Sequence, residues 1–177
     1  MPDATPSRPP LALYAIGLGS NRRHVRHGDP RRVLLAALAA LESDDNEPVD
    51  ASPIIASAPL GPSRRRYANA VALVASPLQP RELLARLQAI EAAFGRRTGQ
   101  RWSARTLDLD ILLWSGGIWS DAALTVPHPA MADRDFVLGP LRTIAPDWPH
   151  PLLRNSVRQL AARLVRPKPV DRSGSAH

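Results

Sequence analysis

The sequence contains no cysteine, which excludes disulfide bonds and thiolate metal sites. Aromatic residues make up only 5% of the chain, and Lys168 is the only lysine among 23 basic residues. No apolar run approaches the length of a transmembrane helix, and the run at residues 11–19 lacks the flanks of a signal peptide. From these absences we expect a cytoplasmic protein that does not bind membranes.

The arginine-rich composition, with a net charge of +7, indicates an anionic ligand. Arginine binds phosphate through paired hydrogen bonds and stays charged at neutral pH. A nucleotide and a nucleic acid both fit this charge. A GC-rich genome would also replace lysine with arginine everywhere, so the charge alone does not decide the ligand.

The length of 177 residues fits one domain. Residues 1–10 contain four prolines and predict a disordered lead, and a disordered tail is predicted at residues 167–177. The folded domain is therefore expected at residues 11–166.

Strand and helix patterns alternate as β-α-β-β-α-β, which predicts a ferredoxin-like antiparallel α+β sheet with helices on one face. Pro30 and Pro80 open the two main predicted helices, and Gly95 is expected to end the second. Strands are predicted at residues 11–18, 52–57, 67–75 and from Asp108 onward. Residues 42–50 and 125–129 are predicted loops, 115–117 a hairpin turn before a short return strand, and 133–141 and the segment after Ser156 further helices.

Asp108 and Asp110 alternate with apolar residues on a predicted strand, so both carboxylates point to one face. The opposite face is expected to carry Leu107, Leu109, Ile111 and Leu113. A divalent cation would relieve the repulsion between the carboxylates, because hard cations take oxygen ligands. Two aspartates on the solvent face of an edge strand are the alternative.

Arginines crowd the segment just upstream of this pair, at Arg96, Arg97, Arg101 and Arg105, with Trp102 among them. Guanidinium groups there could stabilise a transferring phosphoryl group. The alternative is a solvated basic loop. Trp102 argues against that alternative, because an indole in such a loop usually stacks on a partner, which could be a planar heterocycle or the protein's own core.

Two further groups suggest a heterocycle site and a phosphate contact. Asn69 offers a donor and an acceptor to a heterocycle edge, with Tyr67 and Phe136 as stacking rings and Gly61 nearby. His128, between two prolines, could donate to phosphate or act as acid or base. A buried asparagine bonded to backbone and an ordinary loop histidine are the alternatives.

Six segments in this order resemble the 6-hydroxymethyl-7,8-dihydropterin pyrophosphokinase family of folate biosynthesis, over about residues 11–164. They are Leu18-Gly19-Ser20-Asn21, Ala58-Pro59-Leu60-Gly61-Pro62, Tyr67-x-Asn69, Gly95-Arg96, Arg101-Trp102-x-x-Arg105-Thr106-Leu107-Asp108-Leu109-Asp110-Ile111-Leu112 and Val126-Pro127-His128-Pro129.

The resemblance implies a monomer that transfers diphosphate from ATP to the pterin hydroxymethyl group with two Mg²⁺ ions. It implies metal binding at Asp108 and Asp110, with catalytic roles for these two and for Arg96 and Arg105. The implied ATP-side residues are Gln88, Glu91, Arg101, Trp102, Ile111, Thr125, His128 and Arg134. The implied pterin-side residues are Ser57, Ala58, Leu60, Tyr67, Asn69, Trp102 and Phe136.

The chain departs from the family pattern at Thr98, Ser103, Ala104 and Ala123. These departures bear on nucleotide affinity more than on the chemistry. Two alternatives are a basic RNA-binding module on a ferredoxin-like sheet, and a catalytically weakened relative that still binds pterin. We expect neither a nucleic acid nor a membrane as partner.

Overall fold

The computed structural model describes residues 10–57, 66–95 and 106–165. Its main sheet has five antiparallel strands in the order β2-β4-β1-β5, with β3 pairing β4 on the same side as β2. The strands are β1 Ala12–Ser20, β2 Glu47–Ala51, β3 Ile55–Ser57, β4 Tyr67–Ser76 and β5 Asp108–Trp114, and a separate hairpin has β6 Trp119–Ser120 and β7 Thr125–Val126. The helices are α1 Pro30–Ala40, α2 Pro80–Ala93, α3 Asp135–Ile144 and α4 Val157–Val165, with a 3₁₀ turn at Met131–Asp133.

The two main helices begin where the sequence predicts, because local capping groups are present. Asp29 accepts a hydrogen bond from the Arg32 N–H at 3.0 Å at the start of α1. At the start of α2, the Glu82 carboxylate accepts from the Gln79 N–H at 2.8 Å. Gly95 follows α2 with φ +89°, as expected for a glycine that ends a helix.

Helices pack on both faces of the sheet, so the expectation of one helical face is wrong. One face, with Tyr14 and Ile16 of β1, packs in a core with α1 and α2. The other face, with Val71 and Leu73 of β4, packs in a second core with α3 and α4. The unbroken apolar run of β4 explains this, because a strand buried on both sides has no polar alternation.

The edge of the sheet beside β4 is formed by two short strands rather than one. Residues 47–51 form β2, whereas the sequence predicts a loop at residues 42–50. The prediction failed because this edge strand is fully exposed and carries polar residues, which are typical of a loop. Between β2 and β3, Ser52 interrupts the pairing and bonds to β4 through its N–H and its hydroxyl, each at 2.9 Å from Val71. With β2 and β3 on one edge, the topology is compatible with the predicted β-α-β-β-α-β order.

Two other predictions about strand geometry need correction. The short strand at Trp119 pairs with Val126 of β7 and not with β5, so residues 125 and 126 are a strand and not a loop. A bulge opposite Ala15 and Ile16 of β1 shifts the register, so Leu113 packs with α3 rather than beside Ile111.

Within the ranges that the structure describes, no helix has the length and hydropathy needed to cross a membrane.

Candidate active site

Two glycines of β1 create an open trench on the α3 side of the sheet. Gly17 pairs with Asp110 and Gly19 with Asp108 of β5, while Gly19 also pairs with Asn69 of β4. Paired residues share a face, so the carboxylates and the amide stand on opposite sides of a strip without side chains. With strands about 4.8 Å apart, the two walls are about 10 Å from each other.

Gly17 and Gly19 keep this space open because they have no side chains. The sequence alone did not identify them as site residues. A Cβ at Gly17 would lie 3.3 Å from the Leu112 side chain, and one at Gly19 would lie 3.5 Å from Asn69 Oδ1. Their alternation on β1 matches the alternation of the aspartates on β5, and this is the signal that could have identified them.

The trench opens into a cavity of about 410 Å³, within the size range of small-molecule sites. Residues from β1, β3, β4, β5 and the start of α3 meet there although they are far apart in sequence. Those among them that the sequence analysis proposed as site residues are Ser57, Tyr67, Asn69, Asp108, Asp110, Arg134 and Phe136.

Asn69 is only 7% exposed and is held in a fixed orientation. Its Nδ2 donates to Ser57 Oγ at 2.7 Å, which directs Oδ1 toward the strip above Gly19. The alternative in the sequence analysis was a buried asparagine bonded to backbone. In the structure the acceptor of Asn69 Nδ2 is instead a side chain in the cavity wall. An oriented carbonyl oxygen in this wall can accept an N–H from a heterocycle.

Arg134 lies in this first cavity rather than among the other residues proposed for the nucleotide. Its guanidinium carbon is 5.8 Å from the centre of the Phe136 ring, a cation–π distance. The pair places a positive charge and an aromatic face at one wall of the cavity.

Asp110 also lines a second cavity, of about 370 Å³. Ile111, Thr125 and His128, all proposed for the nucleotide side, line it together with Leu84 and residues 121–124. His128 Nδ1 accepts from the Ala130 N–H at 3.1 Å, which assigns the ring proton to Nε2. His128 can therefore donate a hydrogen bond through Nε2.

The two proposed nucleotide residues of α2 do not line either cavity. Gln88 is exposed on the helix surface. Glu91 is 6% exposed, and its carboxylate accepts from the Leu109 N–H of β5 at 2.8 Å. In this position Glu91 joins α2 to the strand that carries the aspartates.

Several proposed residues lie outside the described ranges. They are Ala58, Leu60 and Gly61, and the arginine segment with Arg96, Arg97, Arg101, Trp102 and Arg105, together with Thr98, Ser103 and Ala104. The described residue Thr106, which follows the arginine segment, accepts from Ser20 Oγ at 2.6 Å, and Ser20 lines the first cavity. The described chain therefore resumes beside that cavity.

The donor set at the acidic pair fits Mg²⁺ held jointly with phosphates. Among the residues that the structure describes, no cluster of three or more histidine, cysteine or carboxylate side chains could bind a metal by itself. Mg²⁺ is commonly bound by one or two carboxylates, with phosphate oxygens and water completing the shell. Asp108 and Asp110 together in the wall of the first cavity, with Asp110 also lining the second, match that pattern.

A carboxylate shared by two ligand-sized cavities, with a second carboxylate beside it, is an arrangement that suits a two-substrate enzyme. The family model described as 7,8-dihydro-6-hydroxymethylpterin-pyrophosphokinase (HPPK) matches residues 15–146. The chain belongs to the HPPK family.

Relatives support this assignment along most of the chain. The 2-amino-4-hydroxy-6-hydroxymethyldihydropteridine pyrophosphokinase of Pseudomonas aeruginosa is 43% identical over 149 residues, covering 83% of this chain and 89% of the relative. The enzyme of the same name from Haemophilus influenzae is 42% identical over 153 residues, covering 85% and 89%.

Solved structures support the fold. The A437G form of Plasmodium falciparum HPPK-DHPS with SDX-DHP superposes with a TM-score of 0.71 at 14% identity, covering 90% of this chain and 46% of that one.

Proposed function

We propose that this chain transfers diphosphate from ATP to the hydroxymethyl group of 6-hydroxymethyl-7,8-dihydropterin, giving AMP and the pterin diphosphate. Family membership supports this reaction of folate biosynthesis. The observation that carries it here is the position of Asp110, which lines both cavities. A reaction between two bound substrates needs its charge-stabilising group at the point where they meet.

The first cavity suits the pterin and the second suits ATP. The flat pterin ring fits above Gly17 and Gly19, with Asn69 at its polar edge and Phe136 and Tyr67 as aromatic neighbours. The second cavity offers Ile111 as an apolar contact and Thr125 and His128 as polar groups. With this assignment the pterin hydroxyl and the ATP phosphates would meet at Asp110, the residue that lines both cavities.

Asp108 and Asp110 would hold two Mg²⁺ ions together with the phosphates. When bound, such ions neutralise the phosphate oxygens and lower the pKa of a coordinated hydroxyl. The two aspartates would fix the positions of the Mg²⁺ ions. Arg96 and Arg105 would add positive charge at the phosphates. Neither arginine lies within the described residues.

The chemical step forms one bond and breaks one bond. The pterin hydroxyl oxygen attacks the β-phosphorus of ATP and loses its proton, while the bond from the β-phosphorus to the α–β bridging oxygen breaks and AMP leaves. Binding in two cavities that share Asp110 would bring the substrates together and lower the entropic cost of their encounter.

We infer that the chain acts as a monomer, because both edges of its sheet are protected. Glu47, Pro48 and Asp50 on β2 disfavour pairing with another strand. At the opposite edge, β5 packs against α2 and its Leu109 N–H is bonded to Glu91. The RNA-binding alternative has less support, since such modules use an open sheet face for base stacking and helices pack on both faces here.

The test is AMP formation by the purified chain with ATP, Mg²⁺ and the reduced hydroxymethylpterin. We expect one AMP for each pterin diphosphate, and none without the pterin or with EDTA. Absence of AMP at high enzyme concentration would refute the proposed function.

A further inference from the structure

A single carboxylate organises the turn that joins β6 to β7. Asp121 Oδ1 accepts from the Ala123 N–H at 2.7 Å and from the Leu124 N–H at 2.9 Å. The Asp121 N–H in turn donates to the Leu124 carbonyl at 2.9 Å. Residues 121–124 thus form a closed turn whose backbone path depends on the first residue.

The same carboxylate ties this turn to two other elements. Trp119 Nε1 of β6 donates to Asp121 Oδ2 at 2.9 Å, and Arg81 Nη1 in the first turn of α2 lies 3.2 Å from Oδ1. The pKa of Asp121 lies below its usual value. The hydrogen bond from Trp119 is the largest cause, and the hydrogen bonds from the Ala123 and Leu124 N–H groups add to it. Asp121 is therefore ionised at neutral pH, and donors surround both of its oxygens.

The turn supplies one wall of the second cavity with its backbone and apolar atoms. All four residues 121–124 line that cavity, next to Thr125 and His128. After Asp121 the turn consists of Ala122, Ala123 and Leu124, which bring no charge to a ligand. Contacts of this kind depend on the backbone path, and the two-residue strands β6 and β7 fix that path only weakly.

We propose that Asp121 is a positioning residue for the nucleotide, which fixes the 121–124 turn as the surface against which ATP binds. This inference rests on the proposed function, because it places ATP in the second cavity. Asp121 acts through the turn and touches no reacting atom, so its loss changes ATP affinity and leaves the chemical step and pterin binding intact.

Steady-state kinetics of three variants test this role. We expect Asp121→Ala to raise KM for ATP about tenfold through the lost hydrogen bonds, with kcat within about threefold and KM for the pterin unchanged. Asp121→Asn keeps an oxygen acceptor for the Ala123 and Leu124 N–H groups and should restore most of the affinity. Asp147→Ala removes another exposed carboxylate paired with an arginine, Arg158, and as the matched control should change neither KM.

An unchanged KM for ATP in Asp121→Ala, or equal losses in kcat and both KM values, would overturn the inference. If Asp121→Ala does not fold, Trp119→Phe decides, because it removes the Nε1 donor and keeps an aromatic ring beside Trp114. It should raise KM for ATP about twofold to threefold, and an unchanged value would overturn the role. A wild-type chain that releases no AMP would refute the proposed function and this inference together, whereas an active wild type with unaltered variants refutes the inference alone.

Discussion

Side-chain alternation along β5 explains how a short motif contributes to both a core and a site. Leu107, Leu109 and Ile111 pack in the core with α1 and α2, while Asp108 and Asp110 face the cavities. This arrangement follows from the period of a strand and was predictable from sequence. The metal role of the pair stays a prediction.

Other residue positions depended on the partner strand and could not be predicted from local sequence. Leu113 turns to the opposite core because of a bulge against β1, and a bulge shows only in the pairing register. The roles of Gly17 and Gly19 depend on their neighbours across the sheet, Asp110, Asp108 and Asn69. A Gly-x-Gly segment read alone does not reveal these partners.

Replacing Asp110 should stop turnover without unfolding the protein. Asp110→Ala removes one of the two carboxylates between the cavities, and we expect kcat to fall on the order of 10³-fold or more. The AMP assay measures the rate, and circular dichroism checks the fold. The control Asp50→Ala removes an exposed carboxylate of β2 and should leave the rate within about twofold. Substantial activity in Asp110→Ala would contradict the metal role.

Adding a side chain to the trench should weaken pterin binding selectively. At Gly19 a Cβ meets Asn69 Oδ1 at 3.5 Å, an ordinary contact, so Gly19→Ala is expected to fold but to occupy the trench. We expect pterin affinity to fall about tenfold and ATP affinity to stay within about twofold in calorimetric titrations. Gly139→Ala on α3, where a Cβ meets nothing within 4 Å, is the control. Equal pterin affinity in Gly19→Ala and wild type would place the pterin elsewhere.

At the scale of elements, local signals identified helices better than short strands. The Asp29-Pro30 and Gln79-Pro80 pairs mark real helix starts, because caps act within one turn. The exposed edge strand β2 carries charged residues and a proline, which are poor strand signals. β6 pairs with β7 and not with β5, and nothing in the local sequence distinguishes these two partners.

The link between α2 and β5 should contribute measurably to stability. Glu91→Ala leaves the buried Leu109 N–H without this acceptor, and we expect the free energy of unfolding to fall by about 1–3 kcal/mol in urea titrations. Glu91→Gln keeps an acceptor and should lose less. Gln88→Ala, exposed on the same helix, should change stability by less than about 0.5 kcal/mol. A stable Glu91→Ala protein would mean that β5 does not depend on this bond.

The segment before α4 should make stability depend on pH. Burial lowers the pKa of His150, whose Nδ1 accepts from the Leu152 and Leu153 N–H groups at 3.3 and 3.2 Å. Because the folded pKa lies below the unfolded value of about 6.5, this stability is complete above that pH and is lost as the pH falls toward the folded pKa.

Urea unfolding at pH 7.5 and 5.5 checks this dependence. We expect the wild type to be less stable at the lower pH. His150→Asn keeps a neutral acceptor and should show a smaller difference between the two pH values. His27, whose pKa is also lowered, acts in the same direction and accounts for part of the remaining difference. Equal pH dependence in both proteins would contradict the role of His150.

At the scale of the molecule, two helical layers leave one opening on the α3 side of the sheet. α3 and α4 cover part of that face, and the rest is the trench above Gly17 and Gly19. The described chain resumes at residues 66 and 106. Tyr67 lines the first cavity, and the Thr106 carbonyl accepts a hydrogen bond from Ser20 in the same cavity wall.

We propose that the pterin and ATP occupy two cavities that share Asp110, with Asp108 beside it in the wall of the first. The most direct measurement is a crystal structure of the chain with Mg²⁺, the pterin and an ATP analogue that carries a methylene group between its α- and β-phosphates. We predict the pterin ring above Gly17 and Gly19, the nucleotide against residues 121–125, and metal density about 2.1 Å from both carboxylates. Either ligand bound outside its cavity, or carboxylates that do not contact the metal, would contradict the account.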